Sequence, residues 1–117
     1  MTLLEELKDL GVDIEGGLKR LGGNEQLYTR LMGSFLKTIE ANTVKPDFDA
    51  ADCKEAIEKA HTIKGTAGNL SITPLYEAYT EILGLLRGEK PEDARRLLVE
   101  ILPQQEKIIS CIKKHMG

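Results

Sequence analysis

The sequence predicts an all-α chain, an antiparallel up-down-up-down four-helix bundle preceded by a short N-terminal helical cap. Three observations carry that expectation. Apolar residues recur at helical spacing along almost the whole chain. No stretch shows sustained alternation with β-branched residues, which a half-buried strand would need. Finally, the breaks between periodic segments are short and rich in Gly, Pro and Asp, so that successive long helices must turn back on one another.

Taken in order, Leu3, Leu4, Leu7 and Leu10 form a short amphipathic opening. Asp13 can cap a brief second turn through Leu18 and Leu21, closed by Gly22 and Gly23. Residues 1–23 are thus expected to be a cap segment, and 24–117 the bundle of a single domain. Asn24 can cap the first long helix, with Leu27, Leu31, Phe35 and Ile39 on its apolar side, ending before the loop Asn42 to Asp47 that contains Pro46. The pair Tyr28 and Phe35, with Met32 beside it, reads as core. The second helix is expected from near Asp49, with Ala56, Ala60, Ile63, Ala67 and Leu70 inward, stopping around Ser71 to Thr73 ahead of Pro74. The third runs from about Pro74 to Arg87, where Gly88 serves as terminator, with Leu75, Ala78, Tyr79, Ile82 and Leu86 inward. Pro91 can open the fourth, which carries Ala94, Leu97, Leu98, Ile101, Ile108, Ile109 and Ile112 to the chain end, with a kink expected at Pro103.

The composition removes several classes of function. A chain of 117 residues with 41% apolar residues has the size and content of one compact domain. Its net charge of -3 disfavours general nucleic-acid binding, which draws on Lys and Arg to neutralise phosphates. Cys53 and Cys111 lie far apart, without CxxC pairing or an adjoining His pattern, so neither reads as a metal ligand; no metal site and no bound cofactor are expected. Glu5, Glu6, Lys8 and Asp9 interrupt any signal-peptide core, and no apolar run approaches the roughly 20 residues of a membrane span. A cytoplasmic monomer is the expectation. His115, beside Lys113 and Lys114, reads as positive charge at a helix end.

The chemistry centres on His61. At about 100° per residue, with His61 at zero, Ala56, Ala60, Ile63 and Ala67 fall between about -100° and -160°. The core side is therefore well over ninety degrees from the imidazole. Lys54, Lys64, Gly65 and Gly68 fall at about +20°, -60°, +40° and -20°, on the same side as the ring. Two glycines within a helix cost about 1 kcal/mol each relative to alanine. On an exposed face they bare the imidazole and the backbone beside it, so that another protein can bring a reactive group into line with the ring. Lys54, Ile57, Glu58, Gly65 and Gly68 make up the expected partner-contact face. Imidazole is a nucleophile near neutral pH because a large share of it is unprotonated. Lys64, one turn along, supplies an ammonium that can neutralise an incoming phosphoryl group, and Lys54 can assist from further back. No Walker loop or Gly-rich strand-turn-helix cradle is present, so ATP is not the expected direct donor. A lone histidine on an exposed helix face is also compatible with a merely solvated side chain.

The run Ala60-His61-Thr62-Ile63-Lys64-Gly65-Thr66-Ala67-Gly68-Asn69-Leu70 resembles the signature of histidine phosphotransfer domains of two-component phosphorelays. The segment Leu18 to Asn24, followed by Leu27 and Tyr28, is similar to that family's lead into its first bundle helix. The resemblance implies that His61 is the phosphoacceptor, Lys64 the phosphoryl-stabilising cation, and Gly65 and Gly68 the clearance for a receiver domain. The partners it implies are a response-regulator receiver domain or a hybrid sensor histidine kinase, with magnesium held by the receiver, and the chain would be a carrier and substrate, not an independent enzyme. Two departures stand out. Leu83 occupies the place where family members often carry Glu or Gln facing the histidine, which leaves Thr80, Glu81, Tyr76 or Tyr79 to orient the ring, and Ser71 stands where glycine is common. A docking module that never carries phosphate, and a domain cut from a larger histidine kinase, are the competing readings.

Overall fold

The computed structural model describes residues 1–116. It contains six helices and, among the described residues, no strand. Helices α1 (Leu3–Asp9) and α2 (Ile14–Arg20) are short; α3 (Glu25–Ala41), α4 (Lys54–Asn69), α5 (Thr73–Arg87) and α6 (Pro91–Met116) are long. Local chemistry sets the first three starts. Thr2 and Glu5 form a reciprocal capping box on α1, the Asp13 carboxylate accepts from Gly16 N–H at 3.0 Å, and the Asn24 side chain accepts from Leu27 N–H at 3.0 Å. Each long helix packs against its neighbour in sequence, and α3 also packs on α6, which closes the bundle.

Four helices end in the same way. A residue in the left-handed region is followed by an N–H that reaches back to a carbonyl five residues earlier: Val12 to Leu7 at 3.1 Å, Gly23 to Leu18 at 2.8 Å, Ile72 to Ala67 at 2.9 Å and Lys90 to Leu85 at 2.8 Å. Glycine supplies the left-handed residue at Gly11 and Gly22, but Ser71 (φ 57°) and Glu89 (φ 60°) supply it at the other two. The expected terminator Gly88 therefore sits one residue early. It has φ -85°, and a Cβ there would lie 3.1 Å from the Gly84 carbonyl oxygen.

The core is built from one stripe of each long helix: Tyr28, Met32, Phe35 and Ile39 of α3; Ala56, Ala60, Ile63 and Ala67 of α4; Leu75, Tyr79, Ile82, Leu83 and Leu86 of α5; Ala94, Leu98, Ile108 and Ile112 of α6. On α3 the expected core residues Tyr28, Met32, Phe35 and Ile39 are fully covered, whereas Leu27 and Leu31, also expected on the apolar side, are only half-buried. Helix α4 begins at Lys54, later than the start expected near Asp49. Asp49 accepts from Ala51 N–H at 2.9 Å through its side chain and from Asp52 N–H at 3.2 Å through its carbonyl, so a turn takes the place of a first helical turn. Helix α6 continues unbroken through Pro103.

The N-terminal segment is stitched to the α4–α5 turn. Three carbonyls at the α4 exit are satisfied, two from this segment and one from α3: Gly68 carbonyl by the Arg20 guanidinium at 2.5 Å, Ser71 carbonyl by Asp13 N–H at 2.9 Å, and Leu70 carbonyl by the Tyr28 hydroxyl at 2.5 Å. Tyr28 reaches Leu70 by passing over Gly17, where a Cβ would lie 2.2 Å from the phenol oxygen. The far end of the cap is tied to α6. Glu6 pairs with Lys114 at 2.6 Å and with His115 at 2.5 Å, and these hydrogen bonds hold its carboxyl down at about 2. His115 is thus more than a charge at a helix end. The α3–α4 loop is anchored by Arg95, which stacks 4.5 Å over the Phe48 ring and donates to the Pro46 and Phe48 carbonyls.

Candidate functional site

His61 projects into solvent from the middle of α4, while Ala60 and Ile63 on either side of it are completely buried. The ring is therefore carried on backbone that the core holds rigid. The angular arrangement read from the sequence is reproduced: Ala56, Ala60, Ile63 and Ala67 face inward, and Lys54, Glu58, His61 and Gly65 are exposed. Ile57, Lys64 and Gly68 are half-buried. Lys54, the first residue of α4, lies about 10 Å along the axis from His61, so it is a rim charge and not a neighbour of the ring.

The two glycines differ. A Cβ on Gly65 would meet nothing within 4 Å, so its missing side chain leaves open surface beside His61. A Cβ on Gly68 would lie 2.8 and 2.9 Å from two ring carbons of Tyr76. The space at Gly68 is thus filled by Tyr76, so this glycine permits close packing of α4 on α5, whereas the sequence leads us to expect that it only bares the imidazole. Arg20, Gly68 and Tyr76 together wall a shallow cleft that Gly65 also lines.

The electrostatics favour an incoming anion at Lys64. Lys59 is held by Glu55 at 2.9 Å, a contact that also lowers the Glu55 carboxyl. Lys64 makes no ion pair among the described residues. The hydroxyls next to it turn back on the helix, Thr62 donating to the Glu58 carbonyl at 3.1 Å and Thr66 to the Thr62 carbonyl at 2.9 Å.

Of the groups considered for orienting the ring, Tyr79 is removed outright: it is buried and donates to Gln105 Oε1 at 2.5 Å on α6. Thr80 donates to the Tyr76 carbonyl at 2.6 Å, and the Tyr76 ring is taken up against Gly68. Leu83 is buried in the core, and no side chain of α5 hydrogen-bonds His61 among the described residues.

Two residues of this surface escaped the sequence reading. Because α4 and α5 run antiparallel and Gly68 meets Tyr76, counting seven residues back on α4 and seven forward on α5 brings His61 level with Leu83, the neighbour of Gly84. Gly84 is exposed, and a Cβ there would also meet nothing within 4 Å. A mid-helix glycine costing about 1 kcal/mol was the available signal. Arg20 is the other, and only the tertiary fold brings it to Gly68, 48 residues away. Both thiols are free, Cys53 half-buried and Cys111 buried, and nothing in the sequence signals that Cys111 lies beside His115 and Glu6.

The family model described as "Hpt domain" matches residues 2–110, nearly the whole chain. No curated protein and no solved structure matches it.

Proposed function

Because the chain belongs to the Hpt domain family, a family of histidine phosphocarriers in phosphorelays, we propose that His61 accepts a phosphoryl group from the aspartyl phosphate of a receiver domain and returns it to such an aspartate. A ring nitrogen attacks phosphorus in line. The new N–P bond forms as the P–O bond to the aspartate breaks, and the carboxylate leaves with its electron pair. The transition state of such transfers is loose, with charge on the equatorial phosphoryl oxygens, so positioning and electrostatics do most of the work. Lys64 neutralises that charge. Gly65 and Gly84 leave the room the receiver needs, with Lys54, Ile57, Glu58 and Gly68 at the contact margin. The magnesium that receiver chemistry uses belongs to the partner, and the chain acts as carrier and not as catalyst.

The observation that supports this reading best is the open space at Gly65 beside an exposed His61 and an unpaired Lys64. The test is single-turnover exchange of labelled phosphoryl with a phosphorylated receiver, followed in both directions. Lys64→Ala is expected to slow transfer by about 10- to 100-fold, at the lower end of the loss for a charge-stabilising donor because the lysine is partly in water. If the chain binds receivers but never takes label, it is a docking module and the proposal fails.

A further inference from the structure

Cys111 and His115 are four residues apart on α6 and so share one face of that helix, where the Glu6 side chain of α1 meets them. The sulfur, the imidazole Nε2 and the carboxylate Oε2 all lie within 4.8 Å of one another. Glu6 Oε2 is the hub, 3.5 Å from Cys111 Sγ and 2.5 Å from His115 Nε2. We propose that Glu6, Cys111 and His115 form a binding site for Zn²⁺, with water completing a four-coordinate ion.

Thiolate, imidazole and carboxylate are the three side-chain donors that zinc takes, and three protein ligands with one open position is a common arrangement for it. With Zn–S near about 2.3 Å and Zn–N and Zn–O near about 2.0 Å, tetrahedral geometry requires donor separations of about 3.3–3.6 Å. The carboxylate and sulfur already stand at 3.5 Å. The carboxylate and imidazole, at 2.5 Å, must open by under about 1 Å, and the sulfur and imidazole, within 4.8 Å of one another, close by no more than about 1.3 Å, movements within the range of side-chain rotation. Lys114 does not occupy the site. It holds Glu6 Oε1 at 2.6 Å, the oxygen that points away from sulfur and imidazole, and so acts as an outer partner that fixes the carboxylate while Oε2 binds metal. Cys111 is buried, so the ligand set is shielded on one side, whereas the His115 side chain is 24% exposed and leaves a path for the ion. On binding, the thiol proton passes to solvent and a Zn–S bond forms without change of oxidation state. The ion would fasten α1 to the end of α6, and the site shares no residue with the surface around His61.

The experiment is titration of the untagged, reduced chain with Zn²⁺ by calorimetry and with Co²⁺ by absorption. One saturating equivalent is expected, with a thiolate-to-cobalt charge-transfer band. Cys111→Ser should abolish the band, and His115→Ala and Glu6→Gln should each weaken Zn²⁺ binding by more than about tenfold, since loss of an outer partner alone costs 10- to 100-fold. Cys53→Ser should change neither, and helical circular dichroism of every variant shows that it is folded. Absence of a saturable equivalent, a cobalt complex without the thiolate band, or binding that survives both Cys111→Ser and His115→Ala would overturn the site.

Discussion

Ser71 carries two separate costs at one position. Its backbone is left-handed at φ 57°, and its hydroxyl is buried without a hydrogen-bond partner. Glycine removes both, so Ser71→Gly should raise unfolding free energy by about 1 kcal/mol in urea melts, the strain and desolvation relieved exceeding the added chain entropy. The site glycines should separate in the same measurement. Gly65→Ala adds a Cβ into open space and is expected to stabilise the chain by about 1 kcal/mol while slowing phosphoryl transfer, because the new methyl would stand in the proposed path of the receiver. Gly68→Ala drives its Cβ into the Tyr76 ring, an overpacking cost of about 1–3 kcal/mol that cancels or exceeds the helix-propensity gain. A chain in which both substitutions gained equally would show that Tyr76 does not depend on Gly68.

At the scale of elements, the bundle depends on a cap that closes the α4 exit. Tyr28→Phe leaves the Leu70 carbonyl without its donor and should cost about 1–2 kcal/mol, and Gly17→Ala, which pushes a methyl into the same phenol, should cost about 2–3 kcal/mol. The buried phenols also set an alkaline limit. Burial pushes Tyr28 up from 10.0 to about 12 and raises Tyr79 further. Since these folded values lie above those of the unfolded chain, their contribution to stability is complete below pH 10 and is lost as pH rises from there through 12. Unfolding and tyrosinate absorbance should therefore rise together in that interval, and Tyr79→Phe should blunt the dependence. The periodic stripes of α3 to α6 were legible in the sequence because burial selects apolar residues every three or four positions. The start of α4 was not, because the Asp49 side chain and carbonyl compete for the N–H groups of Ala51 and Asp52. Nor were the left-handed Ser71 and Glu89, which a tertiary turn imposes on residues that do not favour it.

For the whole molecule, an exposed histidine stands on a helix held by the core, with Gly65 leaving open space beside it. The placement of His61, Lys64 and Gly65 away from the core was legible because all three lie within one helix, where spacing fixes direction. Arg20 against Gly68, Tyr79 against Gln105 and Glu6 against Cys111 and His115 were not, since each pair is assembled by the fold from distant segments. The match of residues 2–110 to the Hpt domain family spans both cap and bundle, and the hydrogen bonds from Asp13 and Arg20 to the α4 exit join the two. The central claim is that this scaffold exists to present His61. The most direct test is to incubate the chain and His61→Gln with a labelled phospho-receiver and record the acid and alkali stability of the label on each. Acid-labile, alkali-stable label on the native chain and none on the folded variant is the predicted result. Label that persists in His61→Gln, or none on either chain while the receiver binds both, would contradict it.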